Sequence, residues 1–137
     1  MASLPWMRYL SSVPHAPAPL SPTQRATLEA AARRIVPHAF EDPARGDALL
    51  RALVVRIGGL PARKQRDVRL ALTLFGSRAS ALTSGILPRP FLAQRPERQD
   101  RHLERWLTSS VAAFRTIAQA IRRLVIFTEY TTAAAHR

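Results

Sequence analysis

The sequence predicts an all-α fold: about five helices in a compact bundle, joined by proline-rich connectors and preceded by an extended N-terminal arm. Three observations predict it. Apolar residues recur at three- and four-residue steps through most of the chain. No run has the sustained alternation of a strand, and VVRI at 54–57 is short and sits inside a helical pattern. The 11 prolines gather before residue 23 and at a few later joints, where they punctuate helices. With 137 residues, 47% of them hydrophobic, the chain suits one domain with one core. The expected organisation is an arm over 1–20, a single helical domain over 21–132 and a tail over 133–137.

Each element follows from its local signals. Residues 1–20 lack periodicity, and Trp6, Met7, Tyr9 and Leu10 are the arm's large apolar groups. SPTQRATLEAAARRIVP starts a helix with Ser21 as N-cap and Pro22 at the first helical position, where a missing N–H costs nothing. Leu28, Ala31, Ala32 and Ile35 form its stripe, and Pro37 ends it. HAFEDPARG over 38–46 reads as a loop. Asp47 is then the expected cap of a second helix with Leu49, Leu50, Leu53, Val54 and Ile57 inward, closed by Gly58-Gly59. A third helix is expected from about Pro61, with Val68, Ala71, Leu72 and Phe75 on one side, widened by Leu70 and Leu74. Gly76 ends or bends it, and Gly85 closes the segment. In the connector ILPRPFLAQRP, Phe91 and Leu92 are expected to plug the core. Pro96 opens a fourth helix with Leu103, Trp106 and Leu107 inward, and a fifth is expected from about Ser110 to Tyr130.

Composition narrows the chemistry. The absence of cysteine excludes disulfides, thiolate metal sites and a cysteine nucleophile. Neither Ser77 nor Ser80 lies in a nucleophile elbow, and no Gly-rich phosphate loop is present. His15, His38, His102 and His136 form no pair at helical ligand spacing, so no metal site is expected. His38, after Pro37 in a loop, is the one histidine placed to touch a ligand. The nine acidic residues lie mostly beside arginines, as in Glu29–Arg33, Asp67–Arg63 and Glu97–Arg101, an arrangement that stabilises helices and does no acid–base work. No catalytic residue and no cofactor are therefore expected in this chain.

The formal charge is +12, and Lys64 is the only lysine among 21 basic residues. Such a surplus suits an acidic partner: nucleic acid, anionic lipid or an acidic protein. For nucleic acid, Arg63, Lys64, Arg66 and Arg69 at the start of the third helix are the best placed, after a turn at Leu-Pro-Ala. No cluster suited to base edges accompanies them, and the charge is spread along the chain, so nucleic acid is the second reading. MASLPWMRYLSSVPHAPAPL lacks the apolar core of a signal peptide and has no twin-arginine pair. The expected location is the cytoplasm, or the periplasm if a partner carries the signal.

The last helix is the most informative segment. At 100° per residue, Val111, Phe114, Ile117, Ala118, Ile121, Leu124, Val125 and Thr128 share one face, with Arg115, Gln119, Arg122 and Arg123 opposite. The three arginines rule out a membrane span. From Leu124 on, apolar residues run all round, and Ile126, Phe127 and Tyr130 point away from the core stripe. They need cover. The cover is either a partner chain or the arm folded back with Trp6 and Tyr9, and a partner is the expected one.

Several motifs resemble a known family. LSPTQRATLEAAARRIVPHAF is similar to the opening of the gluconate dehydrogenase subunit 3 family, the small subunit of FAD-dependent gluconate and glucose dehydrogenases. RDVRLALTLFGSRASALTSG and RPFLAQRPERQDRHLERWLTSSVAAFRTIAQAIRRLVIFTEY resemble the helical N-terminal region of some bacterial glucose–methanol–choline (GMC) flavin oxidoreductases. The matching elements are Phe91, the helix from Arg101 to Trp106, Ser109, Arg115, and Ala120 to Tyr130 with Arg123 and Leu124. Ser110 departs from the pattern by standing where an arginine is usual. The resemblance implies a non-catalytic accessory subunit that packs on a large flavoprotein carrying the FAD and stabilises it. No flavin-binding Gly-rich motif occurs before Arg137, so the oxidoreductase is expected to be a separate chain. The residues expected to bind it are Ile126, Phe127 and Tyr130 as anchors, Arg115, Arg122 and Arg123 as polar contacts, and Trp6 and Tyr9 as a gripping arm.

Overall fold

In the computed structural model, residues 20–78 and 89–135 are described. They form five α-helices: α1 (Pro22–Ile35), α2 (Pro43–Gly58), α3 (Ala62–Gly76), α4 (Pro96–Leu107) and α5 (Ala112–Ala135). Two short 3-10 turns lie over Pro37–Phe40 and Phe91–Ala93. No strand occurs among the described residues. The fold is all-α, as expected. The arm, with Trp6 and Tyr9, and Gly85 lie outside the described residues.

α1 starts as its sequence dictates. The Ser21 hydroxyl accepts the Gln24 N–H at 3.0 Å, and the Gln24 side-chain carbonyl accepts the Ser21 N–H at 2.9 Å. This reciprocal capping box satisfies two backbone donors that a helix start leaves open. The Gln24 amide also donates to Thr73 Oγ1 at 3.1 Å, which ties the cap to α3.

The start of α2 differs from expectation. Asp42, not Asp47, is the cap: its side chain accepts the Ala44 N–H at 3.1 Å, and Pro43 takes the first helical position. The stretch read as loop is a 3-10 turn followed by the first helical turn. Gly46 closes that stretch. It is buried inside the helix, where an added Cβ would lie 2.8 Å from the Phe40 ring, so it serves close packing and breaks nothing.

α5 is the central element and packs against all four other helices. It begins two residues later than expected, and the Ser109 hydroxyl accepts the Val111 N–H just before it. It also runs past Tyr130 to Ala135, so residues 133–135 belong to the helix and not to a tail. Ala118, Ile121 and Val125 enter the core beside Leu28, Leu49, Leu53, Leu72 and Trp106.

An aromatic cluster sits where α3, α4 and the second 3-10 turn meet. Phe75 contacts Phe91 at 4.8 Å, His102 at 4.9 Å and Trp106 at 5.3 Å between ring centroids, and Trp106 stacks on Phe114 at 4.3 Å. Phe91 is the expected plug. Leu92 is not: it is 41% exposed, because successive residues of a 3-10 turn point about 120° apart and Phe91 takes the inward place. Leu70 likewise faces out, at 58% exposure, across α3 from the buried Leu72.

Candidate partner-binding face

Among the residues expected to bind a partner, the structure groups Ile126, Phe127 and Tyr130 on the outer side of α5. They are 43%, 54% and 73% exposed, and they rank among the large apolar side chains that remain open to solvent. The inner side of the same turns is committed to the core through Val125 and Thr128. Full burial of side chains this large stabilises by roughly 1.5–3 kcal/mol each, so these partly exposed groups leave a share of that gain unrealised within the described residues.

Arginines frame this face. The Arg56 guanidinium of α2 lies 4.6 Å from the centre of the Phe127 ring and donates to Thr131 Oγ1 at 3.3 Å. A cation over one ring face holds Phe127 in place without covering its outer face. Arg122 and Arg123 are exposed and have no carboxylate partner among the described residues. Arg115 is placed differently. It is half-buried, and its guanidinium donates to the Ser109 carbonyl at 2.6 Å, bracing the connector between α4 and α5. Eleven residues of helix also separate it from Ile126, about 16 Å along the axis. Trp6 and Tyr9 lie outside the described residues.

The inner side of the same turns holds a feature the sequence reading missed. Glu129 is 94% buried, or 6% exposed, and its Oε1 is bonded to the Arg45 guanidinium of α2. His38 Nε2 approaches the same oxygen at 3.7 Å. Oε2 is buried without a hydrogen-bond partner among the described residues. The end of α5 is therefore not apolar all round. Thr128 and Glu129 turn inward, and the surplus apolar surface is confined to the outside. A carboxylate four residues after Val125 on the core stripe was the available signal, since a buried charge demands a partner. Its partner, Arg45, lies 84 residues away in the stretch read as loop.

A shallow open groove of about 610 Å³ lies between the start of α2 and the end of α5, with Arg45, Arg51 and Thr132 in its walls. No group of three or more His, Asp or Glu side chains that could hold a metal occurs among the described residues. Arg63, Lys64 and Arg66 are exposed near the start of α3, and the Arg69 carbonyl is tied to Gln24 and Thr73. Cations there oppose the positive end of the helix dipole, so an anion would ease a local repulsion. No described helix is long and apolar enough to cross a membrane.

Comparison with family models, with curated proteins and with solved structures gives no match. The family resemblance therefore rests on the sequence motifs alone.

Proposed function

We propose that this chain is a non-catalytic accessory subunit that binds and stabilises a separate FAD-dependent oxidoreductase of the GMC type. The observation that carries the binding role is the exposed cluster of Ile126, Phe127 and Tyr130 on a helix whose other side is fully packed. Three large apolar groups, framed by arginines, have the anchor-and-rim composition of a protein interface. The flavoprotein identity comes from the motif resemblance, and the FAD would sit in the partner. Arg122 and Arg123 would pair with carboxylates there, setting orientation and association rate more than affinity.

The test is co-expression with the GMC flavoprotein of the same genome. The expected result is a complex that survives gel filtration, with the flavoprotein retaining more FAD on heating than it does alone. A chain that elutes separately, with the flavoprotein's FAD retention and activity unchanged, would overturn the proposal.

A further inference from the structure

The exposed side of α5 carries a register that the apolar cluster alone does not reveal. Ala113, Thr116, Ala120, Arg123, Phe127, Tyr130 and Ala134 follow one another at alternating steps of three and four, and every one of them is exposed. That is the spacing of the a and d positions of a heptad, with Thr116, Arg123 and Tyr130 at d. All four a positions, Ala113, Ala120, Phe127 and Ala134, are apolar. Exposed Ile126 flanks the seam. We propose that this seam receives an acidic amphipathic helix of the partner protein, laid lengthwise along α5; the inference rests on the accessory-subunit reading and specifies its docking mode.

Charge decides among the occupants. The exposed charged side chains of α5 are Arg122 and Arg123, and Arg56 adds a third guanidinium at Phe127. The only carboxylate of α5 is Glu129, which is buried on Arg45. A second copy of this chain would set its own arginines against these. The chain's first 20 residues carry Arg8 and no Asp or Glu, so they supply no counter-charge either. A helix with leucine-like residues opposite Ala113, Ala120 and Phe127, and carboxylates opposite Arg123 and towards Arg122 and Arg56, meets both the apolar and the ionic requirement. Alanines at 113 and 120 let its backbone approach closely, while Phe127 and Tyr130 fill the gap at the far end.

The test uses the full chain and a fluorescent synthetic helix with leucine at its a and d positions, glutamate in place of the leucine that faces Arg123, and glutamate at e and g. The wild-type chain should bind it. Ala120→Trp, which blocks close approach, and Arg123→Glu, which reverses the charge, should each weaken binding by about tenfold or more. Leu70→Ser, on an exposed apolar residue of α3, should leave it unchanged. Circular dichroism checks that each surface variant is folded. Failure of the wild type to bind, equal binding by the variants, or displacement of the peptide by a single-stranded oligonucleotide at similar concentration would overturn the acidic-helix assignment. The same variants are then titrated with the flavoprotein. A complex that forms but ignores Ala120→Trp and Arg123→Glu overturns the seam while sparing the accessory-subunit reading.

Discussion

Two glycines that look alike in the sequence do different work. At Gly76 an added Cβ would lie 2.9 Å from Thr27 Oγ1 and 3.2 Å from its methyl carbon, and Thr27 is buried. At Gly58 nothing lies within 4 Å. Alanine should therefore stabilise the chain at position 58 by up to about 1 kcal/mol, through helix propensity and a less flexible unfolded chain. At position 76 the crowding should outweigh that gain, with a net loss of about 1–2 kcal/mol. Chemical denaturation of both variants checks the pair, and equal effects would contradict the close α1–α3 approach. His102 is the other residue whose role the sequence concealed. It is 1% exposed, donates from Nε2 to the Phe75 carbonyl at 2.8 Å and accepts from the Gln94 amide at Nδ1. Phe75 is next to last in α3, so its carbonyl is one the helix leaves unpaired. Burial pushes the His102 pKa from 6.5 down to about 4; the Phe75 bond opposes that shift, and nearby Arg105 adds to it. Between those two values the unfolded chain takes up a proton and the folded chain does not. Stability should hold above pH 6.5 and fall as the pH drops towards 4, by at most about 3 kcal/mol. His102→Phe should flatten that slope and lower stability at pH 7, where the carbonyl loses its donor. Urea melts at pH 7 and pH 4.5 check this, and an equal loss of unfolding free energy between the two pH values in wild type and His102→Phe would contradict the buried neutral ring.

At the scale of elements, the helices were legible wherever apolar period and cap agreed. Ser21 with Pro22 marked the start of α1, and Pro96 opened α4 as read. Reading failed where a residue's meaning depended on a distant neighbour. Gly46 ends the stretch read as loop, yet it lies inside α2 with Phe40 packed on it. His102 and Gln99 gave no sequence signal of burial, yet each is buried and bonded to a backbone carbonyl of another segment. The face at Ile126, Phe127 and Tyr130 was visible from angular position alone. Glu129 on the opposite side was not, because its partner Arg45 is 84 residues away in sequence. That pair links α2 to the end of α5. Arg45→Ala should leave the buried carboxylate without its main counter-charge and cost about 2–3 kcal/mol, less than for a fully buried pair because the Arg45 side chain is 40% exposed. Glu129→Gln combined with Arg45→Ala should recover part of that loss. A double-mutant cycle in thermal melts measures the coupling, and a value near zero would mean the ion pair does not fasten α5.

For the whole molecule, one division organises the account: α5 is a packed core helix on one side and an open, arginine-framed apolar seam on the other. Its inner half lies in the core through Ala118, Ile121 and Val125, and its outer half has the composition of an interface. The most direct test of this division is calorimetric titration of the proposed partner, the GMC flavoprotein, into the wild-type chain and into Phe127→Ser. We expect a negative heat-capacity change for the wild type, the mark of apolar burial, and affinity weakened about ten- to hundredfold by Phe127→Ser in a chain that remains folded. Equal affinities for the two chains would contradict the assignment of this face to a partner.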